Sequence, residues 1–191
     1  MTDVESHAQT VAFTAMEHGT RADYDLVSEH DAENAAELPD RVISWLKMMD
    51  GPSPYRISRL EHCLQSATRA EDDGADDEMI ACALLHDVGD IIAPTNHSQA
   101  AAALLRPYIT DENWWIINYH GLFQGYYYFK LYDIDPNLRD RYKDHEHYEA
   151  CVEFCHRWDQ SAFDPLYPTR PLEHFEPLVH DLLREPRLVA Y

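Results

Sequence analysis

An ionisable pair of residues closes an apolar run in the middle of the chain. Residues 82–90 read CALLHDVGD, so His86 and Asp87 directly follow an apolar helical segment. Burying a charge costs heavily unless the group is paired or bound to a metal ion. The rest of the chain must therefore supply partners for this pair, and metal coordination by the imidazole and the carboxylate would compensate their burial.

Further histidines and a second carboxylate lie near the ends of other helical segments or between apolar residues. The candidate ligands are His62, His86, Asp87, His97, His120 and Asp159. Helical bundles build metal sites from such inward-projecting side chains on facing helices. Adjacent helical residues point about 100° apart, so His86 and Asp87 can serve one site only if that site is wide. A carboxylate that bridges two metal ions, with the imidazole on one of them, meets this requirement.

The other histidines are better explained without a metal. The chain has twelve histidines in 191 residues, so some clustering is expected, and a lone histidine is usually structural or solvent-exposed. We assign such a role to His7, His18, His30, His145, His147, His174 and His180.

Helical periodicity and capping signals account for most of the chain, and no segment alternates convincingly as a strand. Helices are predicted within 20–33, 39–49, 59–71, 76–88, 97–108, 111–120, 145–160 and 171–185. Ser58 and Glu61 have the spacing of a capping box, and Asn96 and Thr110 can cap the helices that follow them. We therefore expect an all-α fold, a helical bundle with the metal site in its core.

The length of 191 residues is most simply one domain with a substantial core. Within a single domain over 1–191, we expect an N-terminal helical extension (1–50), a metal-binding core (55–165) and a C-terminal helix (166–191). Because no apolar run approaches about 20 residues, we expect no membrane span. The acidic start MTDVESHAQT is unlike a signal peptide, so a cytoplasmic location is expected.

The charge balance restricts the class of ligand. The net charge of −20 argues against nucleic acid and against anionic membrane surfaces as partners. It would also repel an anionic substrate at long range, so such a ligand needs local cations. We expect a small-molecule substrate, and a monomer or weak homo-oligomer.

The four cysteines show neither a CxxC motif nor the density of a disulfide framework. Cys151 and Cys155 are one helical turn apart, which leaves redox chemistry open, but two packed thiols in a reducing compartment are the favoured interpretation.

The pattern H…HD…D, formed by His62, His86–Asp87 and Asp159, resembles the signature of the HD-domain superfamily of helical metalloproteins. His97 and His120 resemble the extra histidines of its two-metal members. The stretch 59–90 is most similar to the diiron oxygenase branch, which includes inositol oxygenase and the organophosphonate-cleaving HD dioxygenases. The resemblance covers about residues 55–165.

This resemblance implies a non-heme pair of iron ions, Fe(II)/Fe(III) in the active form, with dioxygen as co-substrate. His62, His86, Asp87 and Asp159 would hold the first iron, and Asp87, His97 and His120 the second, with Asp87 bridging. Ligand chemistry alone leaves iron, manganese, zinc and nickel open, so iron enters only through the family.

The expected substrate region differs from that of the glycine-forming aminophosphonate relatives. They carry a tyrosine and a glutamate where this chain has Pro52 and Tyr55, and a lysine at the position of Gln124. The candidate substrate-binding residues are Tyr55, Gln124, Tyr126, His156 and Arg157, with Arg56, Arg59 and Lys130 as further cations. Packing for the aromatic residues and solvated ion pairs for the arginines are the alternatives.

The implied activity is cleavage of the C–P bond of a small 1-hydroxyphosphonate. A quaternary ammonium substrate, (R)-1-hydroxy-2-(trimethylammonio)ethylphosphonate, is favoured because Tyr55 stands where the relatives have a glutamate. A trimethylammonium group has no N–H to donate to a carboxylate, and it binds aromatic faces. The products would be glycine betaine and phosphate. An HD-type phosphohydrolase acting on a small phosphate ester or nucleotide is the alternative, and a metal-holding regulatory domain is a weaker third.

Overall fold

In the computed structural model, which describes residues 10–188, the chain is all-helical, as the sequence predicts, and these residues include no strand. The α-helices are α1 (Arg21–Ala36), α2 (Leu38–Met48), α3 (Arg59–Asp72), α4 (Asp77–Leu85), α5 (His97–Leu105), α6 (Asp111–Gln124), α7 (Tyr148–Phe154) and α8 (Leu172–Leu182). None of the described helices is both long and apolar enough to cross a membrane. His7 and the ends of the predicted terminal segments lie outside the described residues.

Two compact units divide the chain, Met1–Leu38 and Pro39–Tyr191. In the described part of the first unit, Thr20 and Asp23 form a capping box at the start of α1. Phe13 stacks on Tyr24 with 5.6 Å between the ring centroids. The candidate ligands all belong to the second unit, and the prediction of a single domain stays a prediction.

Side-chain caps fix where the helices of the second unit begin. Ser58 accepts a hydrogen bond from the Glu61 amide and Glu61 accepts one from the Ser58 amide, which confirms the predicted capping box of α3. Thr110 caps α6 as predicted. The prediction for Asn96 was wrong, because its backbone (φ −145°, ψ 31°) departs from the extended conformation typical of a capping residue, and its side chain makes no capping hydrogen bond.

The core of the second unit is centred on α4, whose residues 80–85 are all buried. This helix packs against α3, α6 and α8, while α6 also packs against α5 and α7. Fully buried Leu, Ile and Phe side chains fill the space between the helices, among them Leu84, Ile116, Phe154 and Phe175. The apolar helix that ends in His86 is therefore surrounded by other helices on several sides.

Close backbone packing at Gly89 holds α5 against the segment that follows α4. Gly89 lies in a 3₁₀ turn, Val88–Ile91. A Cβ atom at this position would collide with the carbonyl oxygen of His97 and would lie 2.9 Å from the amide nitrogen of Ala101. The glycine two residues after Asp87 thus allows the first turn of α5, with His97, to approach the HD pair.

All four cysteines are free and buried. The Cys155 thiol faces the carbonyl oxygen of His120 and the Cys151 thiol faces that of Ile116. Burial raises the pKa of Cys155 well above its usual value. These thiols pack the contact between α6 and α7, in agreement with the favoured interpretation of the sequence.

Candidate metal centre

The six candidate ligands come from α3, the end of α4, α5, α6 and the turn after α7, and they converge on one region of the second unit. His62 lies in the first turns of α3, His86 caps the C-terminus of α4, and Asp87 follows it. His97 opens α5, and His120 lies toward the C-terminal end of α6, before its last turn. Asp159 ends a π-helical turn, Cys155–Asp159, that continues α7.

The two carboxylate oxygens of Asp87 face different histidines. Oδ1 lies 3.3 Å from His97 Nε2 and 3.2 Å from His120 Nε2. Oδ2 lies 3.6 Å from both His62 Nε2 and His86 Nε2. The side chain of Asp87 therefore stands between two pairs of imidazoles, one pair at each oxygen.

The carboxylate of Asp159 completes the group around His62 and His86. Its Oδ1 is 3.3 Å from His62 Nε2 and 3.7 Å from His86 Nε2, and it accepts a hydrogen bond of 2.6 Å from the Gln124 amide. Its Oδ2 is buried without a hydrogen-bond partner among the described residues. A buried carboxylate oxygen without a partner is costly, and a bound cation would remove that cost.

Hydrogen bonds at the far side of the rings fix which histidine nitrogens face the cluster. Nδ1 of His62, His86 and His120 contacts the backbone carbonyl oxygen of Ala162, Ala83 and Ile117, at 3.0, 2.8 and 2.7 Å respectively. A carbonyl oxygen only accepts, so each Nδ1 carries the proton and donates it. In the neutral imidazoles, each Nε2 then directs a lone pair into the cluster, the usual arrangement of metal-ligating histidines.

Metal coordination explains this set of ligand atoms better than hydrogen bonds among the same atoms do. Nε2 of His62 and Nε2 of His86 are only 3.1 Å apart, and in the neutral rings both carry lone pairs. Burial disfavours the imidazolium, but the carboxylates of Asp159 and Asp87 outweigh it and raise the pKa of both histidines. Without a cation, protons must fill the cluster, whereas a metal ion would replace these protons.

The distances also match those between ligand atoms that share a metal. Ligand atoms roughly 2.0–2.2 Å from a metal ion are about 3–3.5 Å apart when neighbouring bonds meet at octahedral or tetrahedral angles. Two groups have ligand atoms that all lie within 4.8 Å of one another, His62–His86–Asp159 and His86–Asp87–His120. This buried cluster of histidines and aspartates can hold a metal ion.

The pKa values of Asp87 and His97 are shifted toward the forms that bind metals. Burial opposes ionisation of Asp87, but the imidazoles of His86, His120 and His62 hold its pKa well below the usual range. Burial lowers the pKa of His97, which keeps its ring neutral. Both states are those in which a carboxylate and an imidazole bind metals.

The π-helical turn at Cys155–Asp159 changes the direction of the last ligand. The sequence predicts one helix over 145–160, but an α-helix is present only over Tyr148–Phe154 and is followed by the wider turn. Such single π-turns occur often at functional sites. Here the turn ends at Asp159, whose side chain is 1% exposed and points to His62 and His86.

A scan against protein-family models found no match for this chain, and a search of the curated proteins found no similar sequence.

A cavity of about 550 Å³ opens onto the cluster, a volume typical of a small-molecule site. His62, Asp87, His97, His120 and Asp159 form its polar floor. The other lining residues that matter for ligand chemistry are Tyr55, Arg59, Asp90, Gln124, Tyr127, Tyr128, Tyr132, Gln160 and Phe163. The candidate ligands and five aromatic side chains, Tyr55, Tyr127, Tyr128, Tyr132 and Phe163, thus line the same cavity.

Two of the predicted substrate-binding residues line this cavity. Gln124 donates to Asp159, and its buried carbonyl oxygen has no partner among the described residues. The reverse orientation of the amide would direct its oxygen at the carboxylate, so the hydrogen bond fixes the orientation. Tyr55 is half exposed at the mouth, with its ring 4.8 Å from that of Phe163.

The other three predicted residues have partners elsewhere and are absent from the described cavity lining. Arg157 forms ion pairs with Asp73 and Glu153. His156 lies behind the wall, where its Nδ1 is 3.2 Å from the Tyr127 hydroxyl. The ring of Tyr126 is covered by the guanidinium of Arg139 at 3.8 Å. The geometry thus gives these three side chains no direct contact with a ligand in the cavity.

Sequence reasoning missed Phe163 and Asp90. The Phe163 ring stacks on the His62 ring, with 4.4 Å between the centroids and 20° between the planes. Asp90 belongs to the quoted segment CALLHDVGD, so its spacing of three residues from Asp87 was an available signal. Phe163 follows the π-turn, and nothing in the local sequence marks it.

We predict that replacing the central carboxylate removes more metal than replacing one peripheral histidine. Asp87→Ala should release most of the metal, because it removes the one carboxylate that both pairs of imidazoles share and leaves His62 and His86 with Asp159 alone. His97→Ala should retain the metal held by His62, His86 and Asp159. The measurement is elemental analysis of protein loaded with Fe(II), Mn(II) or Zn(II) and then desalted.

The matched control is His30→Ala, a substitution of an exposed histidine in α1 that should leave the metal content unchanged. Equal metal content in Asp87→Ala and the wild-type protein would contradict the assignment of Asp87 as the central ligand.

Proposed function

We propose that this protein is a non-heme diiron oxygenase of the HD type that cleaves the C–P bond of a small 1-hydroxyphosphonate. One observation carries the proposal: Asp87 presents one oxygen to His97 and His120 and the other to His62 and His86. A carboxylate in this position is suited to bridging two metal ions, and a single ion would leave one pair of imidazoles without a role.

The proposed ligand sets follow from these contacts. His62, His86, Asp87 and Asp159 would hold the first iron, and Asp87, His97 and His120 would hold the second. When bound, a mixed-valent iron pair supplies a Lewis acid for the substrate hydroxyl and an electron donor for dioxygen. The second set has fewer protein ligands, and His97 is the most exposed of the six, with 30% of its side chain accessible. This leaves room for a ligand on the cavity side.

The chain's own residues position the first ligand set and restrict water. The Gln124 amide lines the cavity and donates to Asp159, which holds that carboxylate beside His62 and His86. Phe163, stacked on His62, shields that ligand from the mouth of the cavity. A cavity of about 550 Å³ accommodates a substrate with a phosphonate at one end and an ammonium group at the other.

The aromatic mouth supports a quaternary ammonium group at the outer end of the substrate. Tyr55 and Tyr128 both line the cavity and are partly exposed, and Tyr55 lies against Phe163. A trimethylammonium group donates no hydrogen bond, and each aromatic face attracts it by roughly 0.5–2 kcal/mol. The proposed substrate is therefore (R)-1-hydroxy-2-(trimethylammonio)ethylphosphonate, with glycine betaine and phosphate as products.

A phosphohydrolase remains the competing function, because histidine and aspartate ligands also suit metal-activated water. The difference between the two activities lies in the co-substrate. Only the oxygenase needs dioxygen.

We expect phosphate release from the proposed substrate to stop without dioxygen. The iron-loaded protein is incubated with the hydroxyphosphonate in air and under anaerobic conditions, with phosphate and oxygen measured together. Phosphate and oxygen consumption should rise in a one-to-one ratio, because each turnover uses one dioxygen molecule. Anaerobic hydrolysis of phosphate esters, with no oxygen uptake on any hydroxyphosphonate, would instead establish the hydrolase.

We also expect Tyr55 to contribute to the preference for the quaternary ammonium. In Tyr55→Ala, kcat/KM for the trimethylated substrate should fall about 2–30-fold, as the loss of one cation–π contact predicts. The primary-amine analogue should be affected less. The ratio of the two kcat/KM values is the measurement.

Tyr126→Ala provides the matched control, since Tyr126 is exposed to a similar extent but does not line the cavity. An unchanged ratio in Tyr55→Ala would remove Tyr55 from the account of specificity and leave the oxygen requirement untouched.

A further inference from the structure

A single cationic side chain faces the cavity. Among the described residues that line it, Arg59 is the one lysine or arginine. Its side chain is 47% exposed, and among residues 10–188 its one ion pair is with Asp90. A guanidinium has five N–H donors in a planar fork, so the contact with Asp90 leaves donors for a ligand.

Asp90 links this cation to one of the candidate metal ligands. Its Oδ2 contacts Nη1 of Arg59, and its Oδ1 lies 3.6 Å from Nδ1 of His97. Only 8% of the Asp90 side chain is exposed. The carboxylate is thus held between the guanidinium on one side and the imidazole on the other.

His97 differs from the other histidines in having a side-chain carboxylate beside its Nδ1. Nδ1 of His62, His86 and His120 donates to backbone carbonyl oxygens, whereas Nδ1 of His97 lies 3.6 Å from Oδ1 of Asp90, an ion-pair distance, and the backbone of Pro94 is a further partner of this ring. Carboxylates in this position orient a ligating ring and increase its basicity, and their loss typically costs 10–100-fold in metal affinity.

The location of Arg59 on α3 brings it to the side of the cluster. Arg59 precedes His62 by three residues, so both side chains project from the same face of the helix. The nearby lining also holds the carboxylates of Asp87, Asp90 and Asp159. In a chain of net charge −20, an anionic group needs a local cation, and Arg157 is already paired with Asp73 and Glu153.

We propose that Arg59 binds the anionic group of the substrate and that Asp90 is a positioning residue for both Arg59 and His97. The substrate class, an oxyanion such as a phosphonate, rests on the proposed function. The guanidinium fork matches two oxygens of such a group, which a point charge does not. Asp90 holds the fork at the cavity wall and fixes the ring of His97 as a metal ligand.

Methylphosphonate is the probe for the role of Arg59, because it carries the anionic group without the ammonium end. Its binding to metal-loaded protein is measured by calorimetry. Arg59→Gln should weaken binding about tenfold or more, the usual effect of losing a hydrogen bond to a charged group. Arg59→Lys should restore part of the affinity, because it keeps the charge but not the fork.

Arg56→Gln is the matched control, an exposed arginine three residues earlier that does not line the cavity. If Arg59→Gln binds methylphosphonate as tightly as Arg56→Gln does, the metal ions alone hold the anion and the proposal for Arg59 is wrong.

Metal affinity tests Asp90 without any turnover. In competition with a chelator, Asp90→Ala should release part of the bound metal about 10–100-fold more readily, as expected when a carboxylate partner of a ligating histidine is lost. The metal held by His62, His86 and Asp159 should remain. Asp90→Asn, which keeps an acceptor for His97 Nδ1, should show a smaller loss, and its circular dichroism shows whether the fold is intact.

Unchanged metal affinity in folded Asp90→Ala would overturn the positioning role. These binding results are separate from the oxygen requirement. If Arg59→Gln loses affinity for methylphosphonate and the wild-type protein consumes no oxygen, the assignment of the anion site is supported and only the proposed oxygenase activity is contradicted.

Discussion

The carboxylate of Asp87, placed between two pairs of imidazoles, is the constraint on which the rest of the structure depends. A largely buried carboxylate is costly unless its oxygens have partners. Here histidines approach it from two sides, where protonated rings, or metal ions held by neutral rings, can compensate its charge. His97 and His120 on one side come from α5 and α6, and His62 and His86 on the other come from α3 and the end of α4. The packing of these four helices therefore determines whether the ligands of the site come together.

Backbone features of the second unit bring the histidines and Asp159 close to Asp87. Gly89 lets α5 approach closely enough for His97 to reach Asp87. Backbone carbonyl oxygens hold the rings of His62, His86 and His120 with their Nε2 atoms inward. The π-turn then brings Asp159 to the same cluster. Several independent parts of the chain therefore fix a geometry in which lone pairs face each other, an arrangement that a cation would stabilise.

The sequence predicted what depends on local pattern and missed what depends on long-range packing. The capping box at Ser58, the cap at Thr110 and the all-helical fold follow from nearby residue types. The π-turn at Cys155–Asp159 does not, because its side chains also suit an ordinary helix. Arg157 lies two residues before Asp159, yet its guanidinium forms ion pairs with Glu153 and with Asp73, 84 residues earlier in the chain. Arg59 is one of several candidate cations in the sequence, and its ion pair with Asp90, 31 residues later, is a long-range contact that local pattern does not predict.

Anomalous diffraction from crystals of the metal-loaded protein tests the central claim most directly. The account predicts two anomalous peaks, one about 2.0–2.2 Å from each carboxylate oxygen of Asp87. The two peaks should be roughly 3.5–4 Å apart, as in other two-metal sites. A single peak bound by His62, His86 and Asp159, with Asp87 ligating through one oxygen or none at full metal loading, would contradict the bridging role and the function proposed from it.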